Sequence, residues 1–333
     1  MNEIKLQSVN AIDGINDVHR TCNIVNVTES PSQPKLKRLK SGENPNFRSA
    51  SASIEVKHAP GKGRYVVANR NIKKGETLFV EDAFTFVLVN NNKDNTHCHN
   101  CCKSYLDVPV PCTECVDTLF CNMKCWDEAC LSYHRWLCLA SQMGLLRQIG
   151  ITHLALKLLC VCATTTNNEK FNDVQQLVTN FNKLTPEDAF SYGILVCNGH
   201  AITKINVTAD DHENKLLIEE QIRIATAIYP SASMMNHSCD PNIINSFLDQ
   251  TLIVKAIQDI KEGEEILHCY GVDFRRMPKA ERQESLESQY YFTCNCKACT
   301  MPEYENFMIN DCLPFIILNT PLWRLKKDMV LAA

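Results

Sequence analysis

The stretch Met235-Asn236-His237-Ser238-Cys239-Asp240-Pro241-Asn242 decides the reading of this chain when it is taken with two segments that follow it, Gly263-Glu264-Glu265-Ile266-Leu267-His268-Cys269-Tyr270-Gly271 and Phe292-Thr293-Cys294-Asn295-Cys296-Lys297-Ala298-Cys299. The last segment offers a Cys-x-Cys-x2-Cys spacing, which is one donor short of a tetrahedral zinc site. Cys239 is the candidate fourth donor, with Cys160, Cys162, Cys197, Cys269 and Cys312 also unassigned. Taken singly, Asn236 and His237 read as a turn pair and Tyr270 as a core aromatic; their occurrence in one ordered set is what argues for a site. Glu264 and Glu265 read as solvated or strand-pairing groups of a turn and are assigned no chemistry.

Upstream lies a denser block: Cys98-x2-Cys101, Cys112-x2-Cys115, Cys121-x3-Cys125 and His134-x3-Cys138. Thiolate and imidazole are the donors zinc prefers, and a pair two or three residues apart reaches one metal from a turn or one helical face. Eight ligands make two closed sites, which hold a module together and leave no open position for chemistry. The spacing does not say which pair shares a metal with which. Cys102 and Cys130 lie off the spacing and read as ordinary thiols, and His97 and His99 read as flanking residues.

The chain has 333 residues, 45% hydrophobic and 22% charged, with 19 cysteines and a net charge of −4. Such a composition fits a folded globular protein and gives no general basic excess for phosphate binding. From Cys98 to Cys138 there are five acidic residues against three Lys or Arg, so DNA binding through the cysteine block is disfavoured. MNEIKLQSVN carries no apolar run after a basic start, and Ile151 to Ala163 is too short to span a bilayer. The expectation is therefore an intracellular protein, a reducing setting and metal rather than disulfides.

Residues 1–50 have weak apolar periodicity and are expected to be disordered. Within them Pro34 to Lys40 is a candidate nuclear localisation signal. From Ile54 to Val89, short β-branched and aromatic runs alternate with glycine-bearing turns, the pattern of strands. The turn Ile72-Lys73-Lys74-Gly75-Glu76 recurs as Ile260-Lys261-Glu262-Gly263-Glu264. Between them Ser141 to Ala189 reads as helical, with Thr185 as an N-cap and Pro186 at the first helical position. Strands return in IINSF and TLIVKAI, and a short helix is expected from Lys279 to Tyr290.

The order of these motifs, GKGRYVVANRNIKKGE, the paired-cysteine block, MNHSCDPN, GEEILHCYG and FTCNCKAC, resembles the SET and MYND domain family of lysine methyltransferases over about Ser51 to Thr300. The wording NPNFRSASASIEV and CNGHAIT is most similar to the fourth member of that family. The resemblance implies an α+β fold: a β-rich SET domain, with its pseudoknot, split by a MYND zinc finger and a helical segment and closed by a post-SET zinc site. The implied boundaries are 51–97 and 201–274 for the two SET parts, 98–138 for the finger, 139–200 for the helical insertion, 275–300 for the post-SET site and 301–333 for a short tail. It also implies S-adenosylmethionine and three zinc ions as cofactors. Lys62 and Gly63 would approach the cofactor, Asn236 and His237 contact it, Phe292 stack near it, and Tyr270 stand at the methyl-transfer site. Cys239, Cys294, Cys296 and Cys299 would hold one zinc, Cys98, Cys101, Cys121 and Cys125 a second, and Cys112, Cys115, His134 and Cys138 a third.

Methyl transfer from a sulfonium to an amine is an in-line displacement, so such a site must align sulfur, methyl and a neutral lysine nitrogen. Tyr270 does this through polar contacts without an extreme pKa, while a low-dielectric channel disfavours the ammonium. The implied partner is a protein substrate lysine. The finger is expected to bind proline-containing peptides, the chain to be monomeric without membrane or nucleic-acid partners, and its location to be nucleus and cytoplasm. The helical repeats usual in the family are not recognised on either side of the motifs. From a different class, the competing expectation is a peptide-binding scaffold whose SET core is silent.

Overall fold

The computed structural model describes residues 39–89, 96–105, 107–165, 168–177, 195, 197–210 and 215–304, with only the backbone described at 168–170, 205–210 and 215–220. The N-cap expected at Thr185 and most of the basic run from Pro34 lie outside the described residues.

Fourteen strands are described, beginning with β1 (Glu43–Asn44), β2 (Phe47–Ser51), β3 (Ile54–Ala59), β4 (Gly63–Ala68), β5 (Thr77–Asp82) and β6 (Thr85–Leu88). After the finger hairpin β7 (Val110–Pro111) and β8 (Leu119–Phe120) come β9 (Gly199–Asp210), β10 (Lys215–Ile228), β11 (Asn236–His237), β12 (Ile243–Leu248), β13 (Thr251–Ala256) and β14 (Leu267–His268). A five-stranded sheet runs β1-β2-β5-β13-β12, a three-stranded sheet runs β6-β10-β9, and β3 pairs with β4. Their inner faces meet in one core that includes Ile54, Leu78, Phe79, Tyr229, Leu252 and Ile266. Burial of that apolar surface is the main stabilising term.

Two expectations need correction. Disorder was expected through residue 50, yet β1 and β2 are ordered: Phe47 packs edge-on against Phe79 with ring centroids 5.4 Å apart, and Ala50 is fully buried. Those apolar contacts and the backbone pairing of Ala50 with Phe79 hold this otherwise polar segment on the sheet. The long β9–β10 hairpin is also new; its alternation is clear only in a short run such as Gln221-Ile222-Arg223-Ile224. The stretch read as helical from Ser141 holds, among the described residues, the helices Leu145–Gln148, Thr152–Thr164 and Asn168–Gln175. In the middle one Leu154 and Leu158 are buried while Leu159 is exposed, so it buries one face only.

The repeated turn phrase has a structural purpose. Ile72 and Ile260 exchange backbone hydrogen bonds of 2.8 and 2.9 Å, so the two turns face each other. Gly75 and Gly263 take φ of +87° and +81°, a left-handed conformation open to glycine without strain. Glu76 and Glu264 each accept the amide of the lysine three residues earlier, at 2.6 and 2.8 Å. Glu264 is thus a turn-closing residue.

The finger is anchored through Lys157, which is 5% exposed. Its ammonium lies 3.8 Å from the Tyr133 ring and 4.6 Å from the Phe86 ring and donates to the His99 carbonyl at 3.1 Å. Two aromatic faces and a carbonyl replace its water. Glu81 performs a similar service elsewhere. It is buried on β5, and its two oxygens accept the backbone amides of Ser231 and Ala232 at 2.8 and 2.9 Å, fixing the turn that leads into Met235. Glu81→Ala orphans both amides, at about 1–3 kcal/mol each; urea denaturation is expected to show a loss of about 2–6 kcal/mol.

Candidate active site and metal centres

Three clusters of sulfur and imidazole ligands stand out among the described residues: Cys98, Cys101, Cys121 and Cys125; Cys112, Cys115, His134 and Cys138; and Cys239, Cys294, Cys296 and Cys299. Within each, the ligand atoms lie within 4.8 Å of one another. Cys101–Cys121, Cys112–Cys138 and Cys239–Cys299 sulfurs are 3.7, 3.8 and 3.6 Å apart. These are no disulfides, whose sulfurs sit about 2.05 Å apart. A tetrahedron with Zn–S of about 2.3 Å has edges of about 3.8 Å, so the donor sets fit zinc in both chemistry and size. The fold interleaves the finger pairs, which spacing alone left open. A π-helical turn, Cys130–His134, carries His134 to its site and feeds the helix Arg135–Gln142, which carries Cys138. Cys102 lies in the SET core and Cys130 in the π turn, outside the clusters, while His97 and His99 bond to Ser104 and Leu119.

The third cluster adjoins the residues singled out for chemistry. β11 and β14 lie side by side as a parallel pair, Asn236 opposite Leu267 and His237 opposite His268. The Ser238 amide donates to the His268 carbonyl at 2.8 Å. Asn242 closes the junction: its amide nitrogen donates to the Glu265 carbonyl and its oxygen accepts from the Leu267 amide, both at 2.8 Å. Cys239 therefore carries its metal-binding sulfur on a segment already tied to the tyrosine strand.

His237 is buried, and its Nδ1 accepts the Tyr270 amide at 3.0 Å. Its ring lies 5.2 Å from Tyr270 and 6.0 Å from Phe292. The Tyr270 hydroxyl donates to the Met235 carbonyl at 2.7 Å, and desolvation holds that phenol above the ordinary tyrosine range. Lys62 precedes Gly63, whose φ is +74° and whose missing Cβ would meet open space. The Lys62 ammonium reaches Glu265 at 2.5 Å, and the other Glu265 oxygen accepts from the Asn236 amide at 3.0 Å. Glu265 thus links the loop of Lys62 to the Asn236 strand, a role that its appearance as a turn residue concealed.

On the other side of Tyr270 lies a cavity of about 210 Å³, lined in part by His200, Arg223, Asn245, His268, Tyr270 and Tyr290. Tyr290 packs 4.8 Å from Tyr270. His200 and His268 stack at 5.7 Å with 15° between rings. Sequence reasoning missed His200, Asn242, Glu265 and Tyr290, each of which acquires its place only through a partner distant in the chain.

The pattern of a SET domain matches residues 63–271. The chain belongs to the SET domain family. It is similar to the protein-lysine N-methyltransferase SMYD4 of Mus musculus (28% identity over 81% of this chain and 50% of that protein) and of Homo sapiens (27%, 81% and 50%). It is also similar to the N-lysine methyltransferase SMYD2-B of Xenopus laevis, at 27% identity over 76% of this chain and 62% of the relative. The chain spans about half the length of the first of these relatives. These names agree with the SET and MYND resemblance of the motifs. Among solved structures, the SET domain of LSMT bound to lysine and AdoHcy aligns at a TM-score of 0.30 and 13% identity, over 81% of this chain and 65% of that chain, too distant to argue from. No helix among the described residues is long and apolar enough to cross a membrane.

Elemental analysis of the purified chain is expected to give three zinc ions per molecule, and two for Cys239→Ser. The stacked histidines give a pH signature. Desolvation lowers His200 to about 4 and His268 to about 3, from 6.5. Depressed values mean that the unfolded chain takes up protons first, so their contribution is present above pH 6.5 and is lost as pH falls through about 4. Stability is expected to decline over that window, with a shallower slope in His200→Phe.

Proposed function

We propose that the chain is an S-adenosylmethionine-dependent protein-lysine N-methyltransferase. The observation that carries this reading is Tyr270, fixed by Met235 and His237, with the aromatic and amide groups of the motif set on one side and a partly open cavity on the other.

The residues around Lys62 and His237 suit the proposed cofactor by chemistry. Lys62 offers a cation for a carboxylate, Asn236 an amide, Phe292 an aromatic face for adenine, and Gly63 a backbone that a ligand can approach. S-adenosylmethionine supplies the electrophilic methyl of its sulfonium. The protein's share is alignment and the protonation state of the amine. Tyr270 and Tyr290 form aromatic walls that accept the alkyl stem of a lysine, and the Tyr270 oxygen is held at a fixed point by the Met235 carbonyl. Among the described residues lining the cavity there is no Asp or Glu to stabilise an ammonium, and the two histidines are neutral at physiological pH. Both features favour the uncharged nucleophile. The three zinc ions are structural, since four protein ligands close each site.

The finger supports a second reading. Its helix Arg135–Gln142 leaves Trp136 and Leu139 exposed, 61% and 65%, with Met143 beyond, an apolar ridge suited to a proline-containing peptide.

Calorimetric titration of the zinc-loaded chain with S-adenosylmethionine is expected to show micromolar binding that His237→Ala abolishes. Tyr270→Phe is expected to retain binding and lose methyl transfer by about 100-fold or more. No binding by a folded three-zinc chain would remove the enzyme reading and leave the peptide-binding scaffold.

A further inference from the structure

Arg223 is the only formally charged side chain other than histidine among the described residues lining the cavity beside Tyr270. It sits on β10 opposite Thr203 of β9, next to a register shift between Arg223 and Ala225. Because side chains alternate along a strand, Gln221 and Arg223 share the cavity face while Ile222 and Ile224 turn toward the core. Neighbouring groups satisfy little of its guanidinium. One terminal nitrogen donates to Thr226 Oγ1, and the buried Nε has no partner. Gln221 is engaged elsewhere, donating to Thr203 Oγ1 at 2.6 Å. Among the described residues Arg223 enters no ion pair, and desolvation alone acts on its pKa, lowering it.

A guanidinium held in a half-dry cleft without a carboxylate is costly unless a ligand completes it, and its planar fork matches a carboxylate in two-point geometry. The cofactor's own carboxylate does not fit this place: Lys62, Asn236 and Phe292 do not line the cavity. What enters a cavity beside Tyr270 is the substrate. Resting on the methyltransferase reading, we propose that Arg223 is a specificity-determining residue that pairs with an Asp or Glu side chain flanking the target lysine. The cleft then selects acidic lysine-bearing segments and rejects strongly basic ones such as runs of Lys and Arg. The same positive charge disfavours the ammonium form of the entering lysine, so recognition and deprotonation act in one direction.

The test uses the zinc-loaded full chain with saturating S-adenosylhomocysteine. Fluorescein-labelled, C-terminally amidated heptapeptides of Gly and Ser with a central lysine carry one Glu, or one Gln, at each position up to three residues either side. Anisotropy titrations give the Glu-to-Gln affinity ratio at each position. For wild type at least one position is expected to favour Glu by about tenfold. Arg223→Gln brings that ratio to about one, Arg223→Lys keeps part of it, and Arg223→Glu inverts it in favour of Gln at the same position. Ratios near one at every position in wild type, or a Glu preference that survives in Arg223→Gln, overturn the proposal. A matching peptide with a free C-terminus and no Glu that binds as tightly as the Glu peptide also overturns it, in favour of chain-end recognition. Methyl transfer to the same peptides is followed separately: transfer indifferent to Glu in wild type leaves the enzyme and removes the role of Arg223, whereas charge-selective binding without transfer upholds Arg223 and removes the enzyme.

Discussion

Everything chemical in this molecule depends on the parallel contact between Asn236–His237 and Leu267–His268. Two-residue strands contribute little pairing energy, so the contact must be held from outside. Asn242 supplies two hydrogen bonds across it, and Cys239 supplies a sulfur to a site whose other donors, Cys294, Cys296 and Cys299, arrive after the helix Lys279–Tyr290. A metal bound there joins the motif segment to the C-terminal part of the chain. Phe292 is positioned by the same closure, since it lies two residues before the first of those cysteines. Its ring reaches to within 6.0 Å of His237. The site proposed for methyl transfer is thus a product of a tertiary crossing, and it has no independent local structure.

The parts of the fold that were legible in the sequence are those fixed by local chemistry. The helix from Lys279 to Tyr290, the strands around Val66 and Ile253, and the glycine turns at Gly75 and Gly263 all follow from residues within a few positions of one another. The metal clusters were legible because soft donors at short spacing have few other uses; their interleaving in the finger and the choice of Cys239 as the fourth donor of the third cluster came from the family resemblance, and the structure agrees with both. Long-range consequences were hidden. Nothing near Glu265 in sequence announces that its two oxygens will receive Lys62 and Asn236, which lie 203 and 29 residues away in the chain. Phe47 looked like part of a polar tail because its partner, Phe79, lies beyond two strands.

The cleft and the core solve the burial of charge in different ways. Glu81 is surrounded by backbone amides and Lys157 by aromatic faces and a carbonyl, so each has its water replaced within the fold. Arg223, with one terminal nitrogen on Thr226 and its Nε unpaired, is completed far less, and it faces a cavity that holds no carboxylate among the described residues. The contrast separates groups that serve stability from a group left for a ligand.

Amide hydrogen exchange on wild type and Cys299→Ser, with both finger zincs retained, tests the central claim most directly. The expected result is loss of protection in residues 236–242 and 265–272 of the variant, with the finger and the strand Thr251–Ala256 unchanged. Unchanged protection in those two segments after loss of the third metal would contradict the view that this closure holds the crossing, and with it the site, in place.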